Sequence, residues 1–231
     1  YRAEQLEGLD SIEVCDDAFA VVDNPEVDII VELIGGYSPA RELVLKAIEQ
    51  RKHVVTANKA PLVLAFPHLQ ALARDHGVQL RYDATVAGGL PAVNLGQRDL
   101  TAAEISRLEG ILNITTNYIL TRMADDGLSY KEALADAQEA GHAEADPSLD
   151  VEGWDAANKL VILSHSVLGY PATLDQVAVE GITHVTAEML AQATGAGKKV
   201  KLLATAEQSG DGYRFSVRPT WLEASHPMAQ L

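Results

Sequence analysis

Short apolar runs alternate with amphipathic segments in the first third of the sequence, and this alternation constrains the fold more than any other feature. Residues 27–34 form an apolar run that ends at Gly35-Gly36, which is typical of a buried parallel strand with a turn at its carboxyl end. Residues 53–57 and 78–83 repeat the pattern, with a predicted helix from about 61 to 75 between them. Strands that alternate with helices form a parallel sheet with right-handed crossovers, so the pattern predicts an α/β fold.

Small or polar residues follow each predicted strand. Gly35-Gly36 follow the first strand, Asn58-Lys59 the second and residues 86–89 the third. In parallel sheets ligands bind beyond the carboxyl ends of the strands, so we expect these three turns to face a ligand. For Lys59 alone, a solvated loop lysine is the alternative. For the Gly-rich residues 83–91, the alternative is an ordinary interdomain hinge.

The helix after the first strand has a predicted start. Ser38 is placed to cap it, and Pro39 would occupy its first position. Leu43, Ala47 and Ile48 would then lie on its inner face. This helix would pack against the sheet.

The rest of the chain has a different organisation. Residues 105–112 read as a strand and 116–126 as a helix, and Ser129 with Glu132 forms a capping-box pattern for a helix that ends at Gly141. Three later segments look extended: residues 177–182, 200–206 and 213–219. We therefore predict a second, α+β domain, a sheet backed by helices.

The most informative stretch for function is residues 141–159, where a carboxylate-rich loop enters an apolar helix. At 3.6 residues per turn, Glu152, Asp155 and Lys159 would lie nearly in line. The next four residues, 160–163, are all apolar, so this helix is expected to be buried. An ammonium among carboxylates at the edge of a core has an adjustable pKa, which suits a proton donor or acceptor.

Simpler interpretations exist for each member of this stretch. Asp155 and Lys159 could form an ordinary i,i+4 ion pair. Asp150 could be an N-cap, and Glu144 and Asp146 could be solvated loop carboxylates.

Asn113 and residues 115–117 lie between a predicted strand and helix and offer amide, hydroxyl and backbone N–H groups to an anion. Helix capping explains them equally well. The seven histidines and the single cysteine show no zinc-ligand spacing. Ser164-His165-Ser166 lies within a predicted helix, which argues against serine hydrolysis.

Composition excludes several classes of protein. The formal net charge of −15 argues against binding to nucleic acid or to anionic membranes. Cys15 is the only cysteine, so no intrachain disulfide forms and a reducing compartment fits. No apolar run approaches the ~20 residues of a membrane span. The start, Tyr1 to Gln5, resembles neither a signal peptide nor an initiating methionine, so we expect a cytoplasmic fragment or processed product.

Five ordered motifs over essentially the whole chain resemble those of homoserine dehydrogenase, which interconverts homoserine and aspartate semialdehyde with NAD(P). They are V-D-I-I-V-E-L-I-G-G (27–36), H-V-V-T-A-N-K (53–59), V-A-G-G-L-P (86–91), G-I-L-N with T-T-N-Y (110–118) and G-x-A-E-A-D-P followed by D-V-E-G-x-D-A-A-x-K (141–159). The last is the most specific.

The resemblance implies a role for each matching residue. Lys159 would be the catalytic acid/base, with Lys59 near the nicotinamide as a second candidate. Glu144, Asp150 and Asp155 would hold the ammonium of the substrate, and Thr115 would also bind substrate.

Three further sets of ligands follow from the same resemblance. Gly35, Lys59 and Gly141 would contact the cofactor, NADP or NAD. A monovalent cation, sodium, would be bound at Asp83, Val86, Gly88 and Leu90. The partners would be the small-molecule substrate and a second copy of the chain in a homodimer.

The resemblance also implies the domains. Residues 1–84 would be the C-terminal part of a nucleotide-binding Rossmann domain, and residues 85–231 a substrate-binding, catalytic and dimerisation domain. The fold class is thus α/β, a partial Rossmann-type parallel sheet followed by an α+β domain.

Departures from the family pattern are expected to matter. No G-x-G-x-x-G phosphate loop is present, and the chain stops short of the family's C-terminal strand and helix. Ile114 stands where the family usually has glycine, so it could narrow the pocket or strain the backbone, and Asp83 replaces a glutamate.

The sequence therefore predicts an NAD(P)-dependent homoserine dehydrogenase of threonine and methionine biosynthesis. Two alternatives remain. One is an incomplete homologue that only binds a small amino acid and dimerises. The other is a related dehydrogenase for a different amino-acid aldehyde.

Overall fold

The structure, a computed structural model, describes residues 12–231. Residues 1–5, used above to argue against a signal peptide, lie outside the described part. Within it, two sheets are present, one of three strands and one of four. They correspond to the two regions that the sequence distinguishes, and the predicted fold class is confirmed.

The first sheet is parallel, in the order β1-β2-β3. Its elements in chain order are α1 (Ala18–Asp23), β1 (Ile29–Glu32), α2 (Ala40–Glu49), β2 (His53–Thr56), α3 (Lys59–His76) and β3 (Leu80–Arg81). The strands are shorter than the apolar runs that predict them, because only the paired part of each run is counted as strand. The alternation of strand and helix is as expected.

One face of this sheet is buried and the other is not. Ile30 and Val54 are buried beneath the helices, whereas Ile29, Val31 and Val55 are exposed on the opposite face. This follows from the period of two along a strand, which sends alternate side chains to opposite faces.

The ends of the helices show how far capping patterns predict structure. The helix α3 begins two residues earlier than predicted, since the Asn58 side chain accepts a hydrogen bond from the Ala60 N–H, and it ends at Gly77 in a left-handed conformation. The prediction for Ser38 was wrong. Pro39 occupies the N-cap position of α2 and no side chain caps this helix.

The second region contains a mixed sheet in the order β4-β6-β7-β5. Its longer elements are β4 (Arg107–Gly110), α6 (Ile114–Asp126), α7 (Tyr130–Glu139), α8 (Ser148–Val151), α9 (Trp154–Leu163), β5 (Val177–Val179), α10 (Ala187–Gly195), β6 (Lys198–Ser209) and β7 (Gly212–Glu223). Before them come two short helices, α4 (Ala84–Ala87) and α5 (Ala92–Asn94), and a π-helical turn, Leu95–Asp99. The predicted extended segments 200–206 and 213–219 are confirmed, whereas 177–182 is a strand only over Val177–Val179. The capping box of Ser129 and Glu132 is confirmed.

A glycine divides the helix predicted across residues 152–159. Gly153 has a φ of 90°, so α8 ends before it and α9 begins after it. A Cβ at Gly153 would lie 3.2 Å from Val179 and 3.3 Å from Val217, so the bare backbone also lets this turn pack on the sheet. Glu152 therefore lies outside α9 and is exposed, and the predicted line of three charged residues is reduced to Asp155 and Lys159.

Helices α3 and α9 join the two regions through a cluster that we call the aromatic joint: Phe66, Tyr82, His165 and Ser166. The ring of Phe66 stacks on His165 at 4.6 Å and meets Tyr82 edge-on at 5.3 Å. The Tyr82 hydroxyl lies 3.2 Å from Ser166 Oγ. His165 and Ser166 belong to a π-helical turn, Ser164–Leu168, that continues α9. The joint therefore ties the carboxyl end of α9 to α3.

Candidate active site

Lys159 lies on the buried helix α9 with its ammonium facing polar oxygens. Its Nζ is 2.8 Å from Asp155 Oδ2, one turn earlier, and donates a hydrogen bond of 2.7 Å to the Leu112 carbonyl. The i,i+4 ion pair is therefore present, but the carbonyl contact from another element adds a second restraint. Lys159 is only 18% exposed in its side chain, so its amine is positioned rather than free in solvent.

Asp155 also pairs with the lysine of the other region. Lys59 begins α3, and its Nζ lies 3.1 Å from Asp155 Oδ1. Each carboxylate oxygen of Asp155 thus faces one ammonium. We call Lys59, Asp155 and Lys159 the lysine joint.

The charges of the lysine joint affect the carboxyl group at its centre. Burial by itself raises the pKa of Asp155, but the charge and hydrogen bond of Lys159, the Asn113 amide and the charge of Lys59 outweigh it. The net effect is a pKa below the ordinary value, so Asp155 is a carboxylate at neutral pH. It therefore holds both amines by charge as well as by geometry.

Asn113 connects this joint to a second carboxylate. Its Nδ2 donates to Asp155 Oδ2 at 2.9 Å and to Asp150 Oδ1 at 2.6 Å. Its Oδ1 accepts from the Thr116 N–H and so caps α6. Both interpretations of Asn113 are thus combined in one side chain, because an amide has a donor end and an acceptor end.

Asp150 is held from both sides and is not an N-cap. It lies within α8, and its Oδ2 is 3.1 Å from the Thr115 hydroxyl, which also lies 2.7 Å from the His142 carbonyl. The carboxylates of Asp150 and Asp155, the two lysines and Thr115 therefore form one continuous polar network. Such a network can bind a small zwitterion and move a proton.

A cavity of about 430 Å³ opens beside the lysine joint, at the carboxyl ends of β1 and β2. Gly35, Gly36 and Lys59 line it on one side, and Asn158 of α9 lines it on another. Its apolar wall comes from four residues: Val63, Leu64, Leu149 and Leu174. This volume lies within the range of small-molecule sites.

The backbone around the cavity suits a nucleotide. Gly35 and Gly36 have φ of 80° and 71°, and a Cβ on either would meet no atom within 4 Å. The two glycines therefore leave bare backbone against the cavity. The apolar wall and the nearby lysine fit a nicotinamide ring beside a proton-transfer group, so the residues present fit the predicted cofactor.

Two residues expected at the site lie elsewhere. Glu144 is exposed on the loop after α7, with its backbone carbonyl accepting from Gln138 Nε2 at 3.0 Å. Gly141 is exposed on the same loop, with a φ of 75°, and is not among the residues that line the cavity. The structure does not bring their side chains or backbone into the network around Asp155.

Ile114 lies between Asn113 and Thr115, two residues of the polar network. It is the first residue of α6, has no positive φ and is 70% exposed. It does not line the cavity. The expected backbone strain is therefore absent.

The predicted cation ligands are close together in sequence but partly engaged. The Asp83 carboxylate accepts from the Asn94 backbone N–H at 3.1 Å and from its Nδ2 at 2.9 Å. The carbonyls of Asp83 and Leu90 accept backbone hydrogen bonds from Val86 and Ala92 respectively. In residues 12–231, no group of three or more acidic, histidine or cysteine side chains could hold a metal ion.

Three contributors were missed from the sequence: the Leu112 carbonyl, the apolar wall of the cavity and Asn158. A backbone carbonyl carries no sequence signal. Leu149 and Leu174 are ordinary apolar residues. Asn158 occupies an unspecified position of the most specific motif, so that motif gives no signal for it either.

None of the helices in residues 12–231 is long and apolar enough to cross a membrane.

The chain matches two family profiles. The profile described as homoserine dehydrogenase matches residues 91–231, and that of the homoserine dehydrogenase NAD-binding domain matches residues 1–83. The homoserine dehydrogenase of Pseudomonas aeruginosa is 44% identical over 215 residues, which are 93% of this chain and 50% of that protein. That of Methanocaldococcus jannaschii is 41% identical, over 90% of this chain and 62% of that protein. The chain thus spans about half the length of most curated relatives it matches.

Solved structures agree with the sequence matches. A homoserine dehydrogenase from Thiobacillus denitrificans superposes with a TM-score of 0.90 at 43% identity, covering 93% of this chain and 50% of that one. A hyperthermophilic archaeal homoserine dehydrogenase in complex with NADPH has a TM-score of 0.78 at 27% identity, covering 91% of this chain and 61% of that one. From its two matching profiles and these relatives, this chain belongs to the homoserine dehydrogenase family.

Proposed function

We propose that the protein containing this chain interconverts L-homoserine and L-aspartate 4-semialdehyde with NAD(P). The observation that carries the proposal is the lysine joint beside a glycine-lined cavity at the strand ends. It places proton-transfer groups next to a site that fits nicotinamide. The archaeal relative whose structure contains NADPH supports a dinucleotide as the cofactor.

In this proposal Lys159 is the catalytic acid/base. NAD(P), when bound, supplies or accepts the hydride. The Nζ of Lys159 exchanges a proton with the homoserine hydroxyl, or with the semialdehyde oxygen in the reverse direction. Asp155 and the Leu112 carbonyl hold the amine in place, which is the orientation that general acid–base catalysis requires.

Lys59 has a different position and a different role. It lines the cavity directly and is 35% exposed in its side chain, about twice as much as Lys159. Its charge therefore faces both the cofactor side and Asp155. We assign to it the orientation of the reacting oxygen near the nicotinamide, with proton transfer as a second function.

The substrate ammonium binds at the carboxylates. Asp150 and Asp155 present acceptor oxygens that Asn113 holds together, and Thr115 offers a hydroxyl beside them. Glu144 can join only if its exposed loop moves toward Asp150. Gly141, on the same loop, would approach the cofactor by the same movement.

The cation and the dimer stay proposals of the same kind. A sodium ion would use the carbonyls of Val86 and Gly88 first, because those of Asp83 and Leu90 already accept hydrogen bonds. Activity in sodium, potassium and choline buffers tests it. A homodimer would form through the four-stranded sheet, which is covered by helices on the face of Leu202 and Ala204 and by the C-terminal turn with Ala229 at Leu203 and Leu222 of the other face. Light scattering tests the dimer.

The first experiment measures homoserine-dependent formation of reduced nicotinamide by absorbance, with NAD and NADP in separate assays. The proposal expects turnover with at least one of them in the full protein. A folded protein that binds homoserine in calorimetry without turnover would instead support the binding-only alternative. A panel of other amino-acid alcohols would reveal a related dehydrogenase.

A further inference from the structure

One polar side chain of the cavity has no role in the network described above. Asn158 lies three residues after Asp155 on α9, so the two side chains share a face of the helix, and Asn158 lines the same cavity as Gly35 and Gly36. Among residues 12–231 its side chain has no hydrogen-bond partner. The other asparagine of the cavity, Asn58, is already committed at both ends.

That commitment of Asn58 leaves a single available amide. Asn58 Nδ2 donates to the Gly36 carbonyl at 2.6 Å, and its Oδ1 accepts from the Ala60 N–H at 3.2 Å. Lys59 is likewise occupied by Asp155. Asn158 is therefore the group of this wall that can still offer a donor and an acceptor together.

From this we infer that Asn158 binds the carboxamide of the nicotinamide ring and so selects it over rings with another substituent. The inference rests on the proposed function. An amide and a carboxamide are complementary, because each has one carbonyl acceptor and one N–H₂ donor. The apolar wall of Val63, Leu64, Leu149 and Leu174 suits the ring itself, which leaves the carboxamide as the polar part to be matched.

The same contact would orient the ring. Asn158 shares a face of α9 with Asp155, so a carboxamide held by Asn158 would bring the ring close to the lysine joint. Asn158 is thus a specificity and positioning residue. Proton transfer remains with Lys159.

The test compares two cofactors in equilibrium binding. One is the oxidised cofactor that the full protein uses, and the other is its 3-acetylpyridine analogue, in which a methyl group replaces the amino group of the carboxamide. Calorimetry gives a Kd for each. We expect the wild type to bind the natural cofactor about fivefold more tightly, which is the change in Kd expected from one additional hydrogen bond.

The Asn158→Ala variant loses two hydrogen bonds to the carboxamide but only one to the acetyl carbonyl, so it should weaken the natural cofactor about 25-fold and the analogue about fivefold, and discrimination disappears. Asn158→Asp keeps an acceptor for the amino group and should retain most of the preference. A matched control is Asn24→Ala, at the residue that ends α1, which should keep the wild-type ratio of the two Kd values.

The inference would be overturned if Asn158→Ala raised the Kd of both cofactors by the same factor, because a general packing effect does not depend on the amino group. It would also be overturned if the variant left the Kd of both cofactors unchanged. A rise in the KM for homoserine with cofactor binding unchanged would place the amide on the substrate instead and would also overturn it.

These failures are distinct from failure of the proposed function. A full wild-type protein that neither binds a nicotinamide cofactor nor turns over homoserine would overturn both. A wild type that is active, with a cofactor ratio insensitive to Asn158, overturns only the role of this residue.

Discussion

Helices α3 and α9 meet at two joints that differ in chemistry. At the lysine joint, Lys59 and Lys159 share one carboxylate, and their side chains are 35% and 18% exposed. At the aromatic joint, Phe66 and Tyr82 are 5% and 3% exposed. The two helices therefore carry a polar contact beside the cavity and a contact in which the aromatic rings are buried.

The difference separates stability from chemistry. Burial of the aromatic rings stabilises the arrangement of the helices and favours the neutral form of the titratable ring of the aromatic joint, His165. The lysine joint contributes less apolar burial but keeps charged groups within reach of the cavity. A rigid contact near one end of α9 can thus position reactive groups nearer the other end, which is the usual requirement of a site.

The largest effect is expected from Lys159→Ala in the full protein. Loss of the acid/base group should lower kcat about 10²–10⁴-fold. The variant should still fold, because Lys59 continues to pair with Asp155, but its unfolding midpoint should fall because the buried carboxylate loses one of its two ammonium partners. Steady-state kinetics and urea unfolding measure the two quantities. Lys46→Ala, which removes an exposed ion pair on α2, serves as the matched control. Near-normal kcat in a folded Lys159→Ala variant would contradict the assignment.

The complementary change is Phe66→Ala at the aromatic joint. Removing a buried ring that contacts both His165 and Tyr82 should lower the free energy of unfolding by about 3–5 kcal/mol. Urea denaturation followed by circular dichroism measures it. Phe19→Ala, at a ring 37% exposed, should cost far less. Similar losses in the two variants would show that the aromatic joint is not a special source of stability.

A third prediction is that the two joints contribute to stability over different ranges of pH. Asp155 has a pKa lowered in the fold, so the stability it contributes is present above its ordinary value of 3.8 and is lost as pH falls through the lower folded value. The stability difference between wild type and Asp155→Asn should therefore persist at pH 5 and shrink below pH 3.8. Chemical denaturation across this range measures it.

His165 should respond in a higher window. Burial lowers its pKa below the ordinary 6.5, against the weaker opposite effect of the Ala172 carbonyl, so the neutral ring is favoured in the fold. Stability that depends on the neutral ring is present above pH 6.5 and is lost as pH falls through the lower folded pKa. His165→Gln should remove the pH dependence of stability in this window. It should leave unchanged the dependence below pH 3.8 that comes from Asp155. Loss of both parts together would mean that the joints are not independent.

The smallest effect is expected from Tyr82→Phe. The hydroxyl lies within hydrogen-bond distance of Gln70, Gln97 and Ser166, so its removal leaves partners unpaired at a cost of about 1–3 kcal/mol. Thermal unfolding checks this value. Tyr37→Phe is the control, because that ring is 39% exposed. An equal, negligible change in both variants would show that the hydrogen bonds of Tyr82 add nothing to the buried ring.

Features that depend on residues close together in the sequence were predictable from the sequence alone. The alternation of strands and helices, the capping box at Ser129 and the end of α3 at Gly77 follow from local patterns. The pairing of Asp155 with Lys159 also follows from the helical period. Two predictions failed. Ser38 does not cap α2, because Pro39 occupies the N-cap position. Glu152 does not share a helix with Asp155 and Lys159, because α9 begins after Gly153.

Sequence alone, then, determined the order of elements and the family resemblance and named the two lysines as candidates, because each of these depends on motifs of residues close together in the chain. Only the tertiary structure decided that Lys59 and Asn113 meet the same carboxylate, that Leu112 supplies a carbonyl and that Asn158 lines the cavity. Those contacts join elements far apart in sequence. Their distances depend on how α3, α6 and α9 pack, and local propensities carry no information about that packing.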